Sequence, residues 1–310
     1  MKLHLGEAWG VLMKTLPCVL VRIAVYAIVA LGSAIYVGVL LLMAKVFGGA
    51  GGILVLVGIV VLFGLLKLLQ RYVLYLIKAG HIAVITEILQ NGQLPENVGQ
   101  FVYGKNVITG VFKEVSVLFA VDQLVSGAIK AFNKTAVRVA DLIPLPGIEA
   151  VAKFAGMIVN YAVTYVDETI LSFNLTRKDR NIWKNAETGL VLYAQNWKPI
   201  LSNAVALAVI NIAGLVVCVL IMLIPFGILA AITSNETLKI VWLFLALAFG
   251  YGLKLSIINP FCLISTIIAY NHAIEGQEPN VEWKRKLEQV SEKFRELQSK
   301  AADYVSPPPA

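Results

Sequence analysis

The chain has 310 residues, of which 58% are apolar and only 15% charged, and it carries a net charge of +7. Its mean hydropathy is positive and its apolar residues gather in long uncharged runs, which excludes an ordinary water-soluble enzyme and places it in the membrane class. Lys and Arg flank those runs, so the basic excess favours an anionic membrane surface over nucleic acid.

No cleavable signal is expected at the start, because the first apolar stretch is much longer than a signal core and has no small-residue cleavage site. Ile23 to Ala44 is 22 residues without a charge, enough for one helix to cross a hydrocarbon layer of about 30 Å. Gly48, Gly49, Gly51 and Gly52 then mark a tight turn, and Ile53 to Leu66 returns through the bilayer. A third run, Pro199 to Asn235, has no Asp, Glu, Lys or Arg over 37 residues. Ile240 to Leu253 opens the fourth, which continues past Lys254 and bends at Pro260.

Only Lys45 and Lys239 lie near the two loop tips and Lys254 lies within a span, leaving 23 of 26 basic residues on the other side. The positive-inside rule therefore points the tips outward and both termini to the cytoplasm. The outward sequon Asn235-Glu-Thr237 lies too close to the membrane to weigh as a glycosylation site.

An internal repeat organises these spans. One copy begins at Lys14-Thr-Leu-Pro17 and ends in Asn91-Gly92-Gln93-Leu-Pro95; the other begins at Trp197-Lys198-Pro199 and ends in Glu275-Gly276-Gln277-Glu-Pro279. In each, a proline suits the first helical turn, and Gly-Gln-X-Pro supplies a left-handed stop and a residue that cannot continue the helix. Independent helix punctuation is the competing explanation.

Amphipathic segments follow each copy. The first, Asn106 to Asp141 and Ile148 to Phe173, are separated by Ile143-Pro-Leu-Pro-Gly147 and fit a cytoplasmic, interfacial or re-entrant pair. After the second, Trp283, Leu287, Val290, Phe294 and Leu297 alternate by four and three, as in a heptad seam. That seam serves either self-association or packing on the middle helices of its own chain. The expected fold is thus an all-α integral membrane protein of two parallel helical hairpins, about four spans, with an amphipathic helical pair between them and a C-terminal heptad helix. Its segments are 1–95, 96–181, 182–279 and 280–310.

Chemistry-bearing residues are few. Lys254 is a cation inside a span, which either snorkels to the headgroups or faces a pore or substrate. Asp122, Ser126, Lys130, Lys134 and Arg138 recur every four residues, giving a cationic face suited to an anion pathway or to anionic lipid. Asn160, Thr164, Asp167 and Glu168 form a second polar stripe, whose carboxylates suit a cation or proton role or ion pairs with Arg177, Lys178 or Arg180. His4, His81 and His272 show no second ligand at metal spacing, and Cys18, Cys218 and Cys262 form no cluster, so no cofactor or metal is expected. The chain has no GxGxxG, P-loop or HExxH motif and no nucleophile–base pair, which disfavours an enzyme. The favoured function is an oligomeric channel or transport component with some preference for anions, its copies joined through the heptad seam. The competing function is a membrane organiser that binds anionic headgroups and a protein partner.

Overall fold

The computed structural model describes residues 3–112, 115–136, 165–177 and 179–304. It is 89% helix, and no strand occurs among the described residues. The helices are α1 (Leu5–Lys14), α2 (Leu16–Val46), α3 (Gly51–Leu69), α4 (Tyr75–Asn91), α5 (Gln100–Phe112), α6 (Val115–Ala136), α7 (165–176), α8 (Ile182–Gln195), α9 (Trp197–Ile232), α10 (Glu236–Leu253), α11 (Asn259–Ile274), α12 (Val281–Val290) and α13 (Glu292–Ala302). Two five-residue π-helical turns, Gln70–Leu74 and Lys254–Ile258, join α3 to α4 and α10 to α11 without ending the helix.

Among the described residues, four continuous helices are long and apolar enough to cross a membrane: Leu16–Val46, Gly48–Asn91, Trp197–Ile232 and Glu236–Ile274. The bent pair α5 and α6 would add a fifth crossing if both halves served together. The order of elements is similar in the two halves. In each copy a short helix (α1 or α8) breaks at one residue, Thr15 or Asn196, before the long helix begins. A tight connection follows, then a helix with a π-turn, then a glycine stop. Gly92 and Gly276 have φ of 78° and 68°, values that glycine adopts without the Cβ penalty other residues meet. Gln70 precedes Gly92 by 22 positions and Lys254 precedes Gly276 by 22 (92 − 70 and 276 − 254), so the π-turns occupy equivalent places.

The chain divides into two compact units. One comprises Met1–Thr15, Ala79–Ile210 and Phe261–Ala310; the other comprises Leu16–Lys78 and Asn211–Pro260. The boundaries cut across the segments read from sequence, because three of the four long helices, Gly48–Asn91, Trp197–Ile232 and Glu236–Ile274, contribute to both units.

The first unit buries apolar and aromatic side chains between its helices. Phe132 of α6 meets Tyr193 of α8 and Trp283 of α12 edge-on, at 6.1 and 6.2 Å between ring centres. The Tyr193 hydroxyl donates to Asn133 Oδ1 at 3.0 Å, and burial pushes its phenol above the ordinary range, so it stays a neutral donor. Tyr270 donates to the Gly189 carbonyl and packs on Phe173.

The C-terminal seam differs from the expected heptad helix. Ser291 is extended (φ −133°, ψ 111°) and its hydroxyl accepts from the Phe294 amide, so the segment is two helices of 10 and 11 residues. A serine side chain that caps the next helix competes with continuing the previous one. Leu287, Phe294 and Leu297 are buried, with α12 and α13 packed on α6 and α8 of the same chain, while Trp283 and Val290 are half-buried. Glu187 of α8 fastens the seam, accepting from Lys284 at 2.7 Å and Gln298 at 3.1 Å. The seam is occupied within its own chain.

The second unit reverses this order. Ile28, Ile35, Ile53, Leu56, Val60, Phe63 and Ile224 are exposed, whereas Arg22, Ser33, Asn211, Lys254 and Ser256 are buried. Apolar side chains outside and polar ones inside is the arrangement a hydrocarbon solvent favours. The helices approach closely where glycines permit. A Cβ on Gly250 of α10 would lie 2.7 Å from the Val219 backbone of α9, and the Tyr36 hydroxyl of α2 donates to the Gly58 carbonyl of α3 at 3.0 Å.

Candidate functional site

The second π-turn gathers the polar groups of the second unit. In this turn the Asn259 amide donates to the Lys254 carbonyl, five residues back. The next donor in that register would be residue 260, a proline, which has no N–H. The Leu255 carbonyl therefore loses its backbone donor, and in an apolar setting an unsatisfied carbonyl costs several kcal/mol. Arg22 of α2 supplies the missing bond: its Nη2 donates to the Leu255 carbonyl at 2.6 Å. The Ser256 hydroxyl donates back to the Gly252 carbonyl at 2.8 Å, and Asn211 of α9 donates to Asn259 Oδ1 at 2.6 Å.

Lys254 opens this turn. Its side chain is 4% exposed and its ammonium stands 5.7 Å from the centre of the Tyr251 ring, a cation–π distance. Arg22 is likewise 4% exposed. The composition around them is one-sided: the second unit contains Arg22, Lys45, Lys67, Arg71, Lys78, Lys239 and Lys254 but a single acid, Glu236. That acid is engaged by Lys239 at 2.8 Å. Two of these seven cations, Arg22 and Lys254, are buried, and a cation buried in an apolar unit is a candidate functional group.

The other expected residues lie in the first unit. Lys130 and Lys134 are exposed on α6, while Asp122 and Ser126 are half-buried; Arg138 falls outside the described residues. Asp167 and Glu168 sit half-buried at the start of α7, where Asp167 Oδ1 accepts from the Glu168 amide at 2.8 Å. Arg177, the expected partner across the loop, lies over the Phe173 ring at 4.4 Å. Asn160, Thr164 and Lys178 also fall outside the described residues.

Arg22 was not among the residues expected from sequence. It stands one position before the uncharged run and reads as a boundary charge; only Pro260, with its missing donor, signals that a cation is wanted nearby. A second omission concerns His4 and His272, which the fold brings into contact although 268 positions separate them. No known family, no curated protein and no solved structure matches the chain.

Proposed function

We propose that the chain is a multi-pass membrane protein, with its termini in the cytoplasm, that conducts or transports an anion. Arg22 and Lys254 provide the cationic site. The observation that carries this reading is the burial of both cations at one π-turn in a unit whose outer surface is apolar. A chloride, sulfate or phosphate-bearing solute would meet two positive charges in a low-dielectric setting, where attraction is strongest. Arg22 donates to a main-chain carbonyl of the turn, and Lys254 adds a second buried positive charge at the same turn.

Because the C-terminal seam is occupied within the chain, any assembly of copies would use another surface. The exposed apolar flanks of α2, α3 and α9 provide area for lipid or for a second copy.

Anion efflux from vesicles reconstituted with the purified chain tests the proposal. Chloride or sulfate release above that of empty vesicles is expected, falling about tenfold or more in Lys254→Ala and retained in Lys254→Arg. Release equal to that of empty vesicles for each anion tried would overturn it.

A membrane organiser is the second reading, and the exposure of Lys130 and Lys134 on α6 favours it. Binding to vesicles rich in phosphatidylserine that drops in the double variant K130A/K134A, with no ion flux, would select it.

A further inference from the structure

We infer that His4, Glu7, His272 and Glu275 form a binding site for a divalent transition metal of the zinc class, linking the first helix to the end of α11. Both halves carry the same local pattern, His-x-x-Glu, and a spacing of three puts both side chains on one face of a helical turn. His4 Nδ1 lies 3.6 Å from Glu7 Oε2, and His272 Nδ1 lies 3.9 Å from Glu275 Oε2. The two imidazoles stack with centres 4.8 Å apart and planes 19° apart. Ligand atoms of His4, Glu7 and His272 all fall within 4.8 Å of one another.

Two further observations set this group apart from a chance meeting of surface side chains. His4 has φ 48° and ψ 33°, a left-handed conformation uncommon outside glycine and maintained only where the surroundings enforce it. The segment that holds it is anchored on both sides: the Ser265 hydroxyl donates to the Leu3 carbonyl, and Trp9 packs edge-on against Phe261 at 6.2 Å. The backbone on either side of His4 is therefore fixed to the helix that bears His272.

Imidazole and carboxylate are the ligand types that zinc takes in open sites with two histidines and a glutamate, and two nitrogen donors disfavour magnesium and calcium. Metal–ligand bonds of about 2.0–2.1 Å put tetrahedral ligand atoms about 3.3 Å apart. The group would have to close by about 1.5 Å, and the stacked imidazoles would have to turn out of parallel so that their in-plane lone pairs converge on the ion. Glu7, His272 and Glu275 are exposed and His4 is half-buried, so an ion has a route in and Glu275 is available as a fourth ligand. Both halves belong to the first compact unit, so the metal would clip the N-terminal helix in place independently of any ion handled at Lys254.

The test uses the full chain in detergent, purified with a tag free of histidine, stripped with a chelator and titrated with Zn²⁺ against a chromophoric chelator. One equivalent bound at micromolar affinity or tighter is expected, unaffected by millimolar Mg²⁺. His4→Ala and His272→Ala should each weaken it by at least the about tenfold to hundredfold that losing even an orienting partner costs. Co²⁺ should give visible ligand-field bands that Glu7→Gln alters and His272→Ala abolishes, a readout that a purely structural role would leave unmoved. Absence of a stoichiometric site, or affinity unchanged in both histidine variants, would overturn the inference. Should His272→Ala fail to fold, an unchanged Co²⁺ spectrum in the milder Glu7→Gln and Glu275→Gln variants would overturn it equally.

Discussion

The two π-turns are the same device placed at equivalent points of the repeat, yet their surroundings differ. Around the first, Gln70, Arg71, Tyr72 and Val73 are exposed; around the second, Gly252, Lys254, Ser256 and Pro260 are buried. The Gln70 carbonyl accepts from the Tyr75 amide as the Lys254 carbonyl accepts from Asn259. The next donor is Leu76 in the first copy and Pro260 in the second. Leu76 can continue the ladder; Pro260 cannot, and its missing N–H gives Arg22 a carbonyl to hold. The two turns thus differ in backbone chemistry at one equivalent position, Leu76 in the first and Pro260 in the second. The comparison shows two similar π-helical turns, one with exposed side chains and one with buried polar and charged side chains.

Four experiments sharpen or break this contrast. The largest effect is expected from Leu76→Pro, which removes a ladder donor where no arginine reaches the freed carbonyl and should cost about 3 kcal/mol or more. Thermal unfolding in detergent reads it, and a wild-type midpoint would mean that the first turn never depended on Leu76. Arg22→Ala should cost about 1.5–3 kcal/mol, the usual worth of a hydrogen bond from a charged group, because the Leu255 carbonyl is left without its donor. Arg71→Ala, at the exposed turn, should stay within about 0.5 kcal/mol; equal losses from the two would erase the distinction. Gly250→Ala would set a Cβ against the Val219 backbone and cost about 1–3 kcal/mol. Gly64→Ala, ahead of the first turn, meets nothing within 4 Å and should be neutral.

The smallest effect belongs to the exposed C-terminal pairs. Hydrogen bonds from Lys286 and Lys293 hold the Glu282 and Glu296 carboxyls below the usual range. A folded-state pKa lowered in this way contributes stability at neutral pH that is lost as pH falls through the carboxylate range. Because these groups are solvent-exposed, the loss should be barely measurable. Comparing the unfolding midpoint of wild type and Lys293→Met at pH 7 and pH 4 checks it, and a large acid-dependent difference would show that the pair matters more than its exposure allows.

The four long apolar helices were legible because an uncharged run has only one economical solution in hydrocarbon, a helix that satisfies its own backbone. The glycine stops were legible too, since Gly-Gln-X-Pro states both a left-handed residue and a residue that cannot continue the helix. The C-terminal helix was legible in its buried face but not in its continuity: heptad spacing survives the break at Ser291 because the seam lies on one side of both helices. The π-turn at Lys254 has no periodic signature, because one inserted residue disturbs the apolar pattern no more than an ordinary substitution would. Arg22 was hidden for the same reason, its role being set by a proline 238 positions away. Contact between His4 and His272 depends on how the two ends of the chain meet, which local spacing does not encode.

The central claim, that Lys254 faces a water-accessible route for anions, is tested most directly by the reactivity of Lys254→Cys in a chain whose Cys18, Cys218 and Cys262 are replaced by serine. In lipid nanodiscs, a small sulfonate-bearing thiol reagent should modify the new cysteine and do so faster than a quaternary-ammonium reagent of equal size, since Arg22 remains bonded to the same π-turn. If neither reagent reacts, or the cationic one reacts as fast, the second π-turn is a sealed structural joint and the anion reading is wrong.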